Sequence, residues 1–291
     1  MPRILMLGTK FDQPDLVETV VGLGVDVVLA QPPARLTPAD LAVAPAILGL
    51  DYAAAPFADV VRALHANRPF DAVVSLTEPG LIPAAEINDL LGLRGTPART
   101  ARLLKDKAAM RARLDETSTG AVAWRACAGD DEVRRAVAEI GFPCIVKPVD
   151  GVSSIGIVRL EDEAGLEPGL ARLRELGVKG TIVEEYLDGE EVSVEAFSFA
   201  GKHVVVAVTE KLIGANFVEL GHVVPGRLAP ERVDAAADAT ARFLDAIGLT
   251  DGPSHTELKL TGRGPRIIES HNRVGGDSIN LLVRAAYGVD L

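Results

Sequence analysis

Short apolar runs alternate with helical patterns at the start of this chain. Ile4–Leu7, Val25–Leu29 and Ala72–Leu76 are brief, mostly aliphatic runs, which is how strands buried on both faces read. Residues 13–23, 56–66 and 80–91 carry apolar positions at helical spacing. Strand and helix in alternation over the first 95 residues predict an α/β fold with a parallel sheet and crossover helices. The strand ends of such a sheet form a ligand crevice. Gly8-Thr9-Lys10 and Thr77-Glu78-Pro79-Gly80 fall there.

The pattern then changes. Residues 97–116 predict one helix led by Pro97, a favoured first-turn residue. It is basic, with Arg99, Arg102, Lys105, Lys107, Arg111 and Arg113, and such a run predicts a solvated face. Residues 117–187 predict an edge segment at 121–127, a helix at 130–140 and strands near 143–148, 155–160 and 181–185. From 188 onward the pattern is mostly that of antiparallel strands, with a helix at 230–247 and another opening near Asp277. The C-terminal part therefore reads as α+β, without internal repeats.

Composition narrows the class. The 291 residues leave room for two or three modest domains or one large one. Hydrophobic residues at 48% are ordinary for a globular protein, and aromatics at 4% leave a core of Ala, Val, Leu and Ile. A net charge of −11 argues against a nucleic-acid or anionic-membrane surface. Cys127 and Cys144 lack metal-ligand company and read as buried small hydrophobes in a reducing cytoplasm. Arg3–Gly8 is too short for a signal h-region, and no uncharged stretch is long enough to span a bilayer.

Four clusters can carry chemistry. In the first, an apolar strand delivers Lys147-Pro148 into the loop Val149–Gly156, which contains Gly151, Ser153 and Ser154. Small residues let backbone N–H groups approach a phosphate chain, and the lysine adds a point charge. A plain surface hairpin is the competing reading. In the second, Glu191, Ser193 and Glu195 alternate with Val192, Val194 and Ala196. Period two places the polar three on one strand face, read from periodicity alone as solvated. The segment Glu184–Leu187 before it could instead offer its backbone to a nucleobase, with a carboxylate for ribose hydroxyls.

The third cluster is a hairpin. Thr256–Leu260 and Arg266–Glu269 flank Thr261-Gly262-Arg263-Gly264-Pro265. A three-residue Gly262-Arg263-Gly264 loop would set Thr261 opposite Pro265 and Glu257 opposite Glu269. Directly opposed carboxylates about 5 Å apart repel by about 3 kcal/mol at an effective dielectric near 20. A hard dication with oxygen ligands would explain such a pair. A slip of one residue would separate it. His271 falls on the same face as Glu269. In the fourth cluster, Arg273, Gly275 and Gly276 precede a helix N-terminus, which suits an anion. The alternative is a glycine turn with Asp277 as helix cap.

In this order the clusters resemble the ATP-grasp superfamily, and more closely its carboxylate–amine and L-amino-acid ligases. The resemblance spans nearly the whole chain. It implies a Rossmann-like pre-ATP-grasp domain at 1–96, a small lid subdomain with its connecting helix at 97–187, and a C-terminal subdomain at 188–291. It assigns Lys107 and Lys147 to the ATP phosphates, and residues 150–156, with Gly151, Ser153 and Ser154, to a closing loop. Glu184, Tyr186 and Leu187 become the adenine hinge, with Glu191 on the ribose. Glu257 and Glu269 become ligands of magnesium, with manganese as an alternative ion. The family's Glu-x-Asn-x-Arg pattern reads Glu269-Ser270-His271-Asn272-Arg273 here. Either His271 ligates, Asn272 swings in, or that ion is held more weakly, since imidazole is a poorer magnesium ligand than oxygen. Arg273 would steady an acyl phosphate, while Gly275 and Gly276 let the backbone approach it. Glu219 and His222 lie in a stretch resembling the substrate border of amino-acid ligases, where His222 could assist amine deprotonation. Glu78 could face an ammonium group.

The implied reaction activates a carboxylate as an acyl phosphate and joins it to an amine, releasing ADP and phosphate. The expected partners are small carboxylates and amines, with a homodimer admitted, in the cytoplasm. A carboxylase or nucleotide-pathway ligase is the alternative enzyme, and an ATP-binding module without catalysis the alternative class. Many such ligases continue with a further lobe where this chain reaches Leu291, so it is a compact member or part of a longer enzyme.

Overall fold

The computed structural model describes residues 1–9, 16–117, 119–151, 155–214 and 217–291. Three sheets organise them. The first contains β1 (Arg3–Leu7), β2 (Asp26–Ala30), β3 (Ala46–Leu48) and β4 (Ala72–Val74), in the order β3-β2-β1-β4. All its pairs are parallel, as the alternation predicts. Its helices are α1 (Leu16–Gly22), α2 (Pro38–Val43), α3 (Phe57–Asn67) and α4 (Glu78–Leu91). Lys10 and the beginning of the helix expected at 13–23 lie outside the described residues. α2, with Thr37 and Asp40 forming a reciprocal cap, and the three-residue β3 were not anticipated. The Asn88 side chain of α4 accepts from the Val73 N–H at 2.9 Å and donates to its C=O at 2.7 Å. That pins α4 to edge strand β4, and its first residue, Glu78, is thereby placed at the sheet's ligand edge.

The expected helix at 97–116 is two helices, α5 (Ala98–Lys105) and α6 (Lys107–Glu116). Asp106 separates them because its backbone is extended and its carboxylate accepts from the N–H groups of Ala108 and Ala109 at 2.9 and 3.0 Å. Nor is the basic run uniformly solvated, for Lys107 and Arg111 are buried.

The second sheet is antiparallel, ordered β5 (Trp124–Cys127), β8 (Thr181–Glu185), β6 (Cys144–Pro148) and β7 (Val158–Leu160). α7 (Asp130–Ile140) and α8 (Leu166–Glu175) cover one face, burying Val133, Val137, Leu170 and Leu173 against Val146, Val183 and both cysteines. Alternation turns Ile145, Lys147 and Glu184 to the opposite face. α8 was not anticipated, and the strand expected at 155–160 is only β7.

The third sheet is ordered β11 (Glu219–Val223), β10 (Lys202–Ile213), β9 (Glu190–Phe199), β12 (Gly252–Thr261) and β13 (Gly264–His271), all antiparallel. α9 (Pro230–Ile247) packs Phe243 and Leu244 on Val192, Val194, Leu258 and Ile267, joined by Leu104, Met110 and Leu114 of α5 and α6. Truncating Phe243, which is fully buried, would cost about 3–5 kcal/mol. α10 (Ile279–Tyr287) sets Ile279 and Val283 against Ala207. No helix of the described residues is long and apolar enough to cross a membrane.

Candidate active site

The third sheet has one apolar face and one charged face. On the charged face, cross-strand pairing sets His255 opposite Glu195, Glu257 opposite Ser193 and Lys259 opposite Glu191. Ser193 and Glu195 are fully buried, which corrects the expectation of a solvated face. Periodicity identifies the face but not what covers it, and here His255 and the loop before α10 do so. Glu195 accepts from Ser193 at 3.0 Å and from the Gly275 N–H at 3.3 Å, and it lies 2.6 Å from His255 Nδ1. Burial lowers the His255 pKa, but Glu195 and Glu257 outweigh it and hold the imidazole at about 9.

Glu257 and Glu269 are cross-strand partners, as the hairpin reading expects, by a different route. The turn has two residues, not three: Thr261 pairs with Gly264 and Leu260 with Pro265. A bulge then inserts Ile268 between Ile267, opposite Leu258, and Glu269, opposite Glu257. Both carboxylates are well below the ordinary carboxylate pKa. Burial raises them, but His255 and Lys211 overcome it at Glu257, and His271 and Lys107 at Glu269. Two ionised, opposed oxygen donors suit a hard dication.

The pair lines a partly enclosed cleft between the second and third sheets. The same cleft is lined by Lys107, Lys147, Gly151, Glu184, Tyr186, Leu187 and Glu191. Lys107 Nζ lies 2.8 Å from Glu269 and donates to the Gly151 C=O at 2.7 Å. Lys147 Nζ is 2.7 Å from Glu184, whose other oxygen accepts from Arg111 Nε at 2.6 Å. Burial raises Glu184, but Arg111 and Lys147 prevail and bring its pKa to about 2. Glu184 thus fixes Lys147. The Glu185 and Tyr186 N–H groups donate to Ala123 and Pro143. The Leu187 N–H donates to no backbone oxygen of the described residues. Ser153 and Ser154 lie outside the described residues.

His271 and Arg273 gather around Glu78, with His271 Nδ1 at 2.8 Å and Arg273 Nε donating at 2.7 Å. Burial would lower the His271 pKa, but Glu269 and Glu78 on either side of the ring hold it above the ordinary value. Asn272 is turned to the opposite side, into an apolar cleft with Val73, Ala85 and Phe197. Gly275 is packed tightly: a Cβ there would lie 3.0 Å from His255 and 3.2 Å from Glu195. A Cβ on Gly276 would meet nothing within 4 Å. Asp277 is not the helix cap, since Ser278 holds that position without a side-chain bond.

Lys211 of β10 was missed from sequence. Its ammonium lies 2.6 Å from Glu219, 2.8 Å from Glu257 and 3.7 Å from Glu191. Burial lowers it, but Glu257 and Glu219 keep it charged. A lysine inside the mostly aliphatic segment Val204–Ile213 was its signal. His255, also missed, lies two residues before Glu257 on the same face.

Residues 140–280 match the ATP-grasp domain family and residues 17–95 the ATP-grasp N-terminal domain. The chain belongs to the ATP-grasp superfamily. It is similar to alanine–anticapsin ligase of Bacillus subtilis (strain 168), 27% identical over 245 residues, covering 76% of this chain and 52% of that protein. Human carnosine synthase 1 is 29% identical over 259 residues, covering 80% and 31% respectively. The crystal structure of an L-amino acid ligase from Bacillus licheniformis superposes with a TM-score of 0.82 at 26% identity, over all of this chain and 72% of that one. This ATP-grasp chain therefore spans about half the length of the bacterial curated relative.

Proposed function

We propose that this chain is an ADP-forming ligase that activates the carboxylate of an amino-acid-like substrate as an acyl phosphate and joins it to an amine. The observation that carries the reading is the opposed pair Glu257 and Glu269 in one cleft with Lys107 and Lys147. The relatives named above are ligases of amino acids, which supports the substrate class.

The roles follow from position. Lys107 and Lys147 meet phosphate oxygens of ATP, with Lys147 aimed by Glu184 and Lys107 exchanging its Glu269 and Gly151 contacts for them. The Leu187 N–H and the adjoining Tyr186 hold the base, and Glu191 the ribose. Magnesium, held by Glu257 and Glu269, would neutralise charge on the transferred phosphoryl group. Lys211 keeps Glu257 and Glu219 oriented. Arg273, released from Glu78, steadies the acyl phosphate, and Gly276 leaves room beside it. Glu219 and His222 border the side from which the amine arrives. Catalysis of this kind is positioning and charge stabilisation, without a nucleophilic side chain.

The same reading divides the chain at 96/97 and 187/188, each part contributing one of the three sheets. The test is product analysis with magnesium, ATP and panels of amino acids. ADP and phosphate release that requires both a carboxylate and an amine supports the ligase; AMP and pyrophosphate would contradict it.

A further inference from the structure

A second set of metal-ligand side chains stands beside the Glu257–Glu269 pair, joined to it through Lys211, which contacts both Glu219 and Glu257. One ligand atom from each of Glu219, His222 and Asp277 falls within 4.8 Å of the other two. Glu219 and His222 both belong to β11, and Asp277 stands just before α10 in a left-handed conformation, φ 49°. His222 Nε2 lies 3.4 Å from Glu219 Oε2 and 3.6 Å from Asp277 Oδ2. Both distances exceed ordinary N–H···O lengths of about 2.7–3.2 Å. The His222 side chain is only 6% exposed, and its Nδ1 is buried without a hydrogen-bond partner among the described residues. It is Nε2, on the other side of the ring, that faces the two carboxylates, without a hydrogen bond to either.

The spacing discriminates between cations. Nitrogen and oxygen ligands about 2.0–2.2 Å from a tetrahedral zinc-class ion stand about 3.3–3.6 Å apart. Acceptors about 2.8 Å from a single ammonium stand about 4.6 Å apart. The His222 distances match the metal. One imidazole with two carboxylates also suits a borderline ion better than magnesium, which prefers oxygen alone. Glu219 is oriented for the task, because Lys211 occupies its other oxygen, Oε1, at 2.6 Å. Three protein ligands leave a coordination position open, as at catalytic zinc sites. Open space adjoins the set at Gly276.

We propose that Glu219 Oε2, His222 Nε2 and Asp277 Oδ2 bind one divalent ion of the zinc class. Binding requires neither ATP nor ligase turnover, so it is measured on the nucleotide-free chain. Cobalt(II) is titrated in excess magnesium, which saturates the oxygen-only sites, and followed by calorimetry and visible absorption. One cobalt per chain is expected, displaceable by zinc. Asp277→Asn, at an exposed position, and His222→Gln should each weaken binding about tenfold or more, with unchanged circular dichroism. Glu269→Gln should leave it within about twofold. No cobalt binding to the wild-type chain, or wild-type affinity in the Asp277→Asn variant, would overturn the site. Absence of ADP formation with any substrate would leave this result untouched and count only against the ligase reading.

Discussion

Glu257 and Glu269 meet across the β12–β13 hairpin because Ile268 is an extra residue on β13. The two-residue turn alone would offset the carboxylates by one position and send them to opposite faces. The bulge restores the register, and the two ionised groups then lie in the same cleft.

Glu269→Ala should lower kcat by about two orders of magnitude or more while circular dichroism and the melting profile stay native-like. Steady-state ADP release and thermal melts check both halves. Unchanged turnover would refute the metal assignment.

Gly275→Ala and Gly276→Ala separate packing from substrate approach. The first crowds His255 and Glu195 and should both destabilise the fold and reduce turnover. The second meets no protein atom within 4 Å, so its melting temperature should match wild type. If Gly276 faces the reacting group, kcat falls all the same. Wild-type kcat in Gly276→Ala would remove that residue from the site.

Much of this was legible in sequence. Alternation in Thr256–Leu260 indicated the carboxylate face, and the strand–helix order of the first 95 residues indicated the parallel sheet. The adjacent Ile267 and Ile268 break period two and were the mark of the bulge, yet the hairpin count reached the right pair with the wrong turn. Lys211 and His255 were hidden because their partners, Glu219 and Glu257 on one side and Glu195 on the other, sit on strands whose pairing no local pattern announces. Asp106 was taken into one long helix because a cap and a helix-interior aspartate look alike without the backbone.

Lys211→Met removes the cation shared by Glu219 and Glu257. Without it the pKa of the Glu257 carboxylate rises. The acidic limb of the kcat/KM profile should therefore move to higher pH, and turnover at neutral pH should fall about tenfold or more. An unmoved limb would show that Lys211 does not set the state of Glu257.

Glu184 ties acid stability to Lys147. Its folded pKa is about 2 against an ordinary 4.5. A depressed carboxylate contributes stability above its unfolded pKa and loses it as pH falls through the folded value. The contribution, roughly 3 kcal/mol, should be complete above about pH 4.5 and disappear toward pH 2. Denaturant unfolding from pH 6 to pH 2 should show that fall in wild type. Glu184→Gln should be less stable at neutral pH, with Arg111 and Lys147 left unpaired, and should lack this part of the acid slope.

The central claim is that phosphoryl transfer goes to a substrate carboxylate. Incubation with an ¹⁸O-labelled carboxylate substrate, an amine, ATP and magnesium, followed by mass analysis of the phosphate, tests it directly. Acyl-phosphate chemistry predicts one ¹⁸O carried from the carboxylate into inorganic phosphate for each amide formed. Amide formation with unlabelled phosphate, or with the label in AMP, would contradict the account.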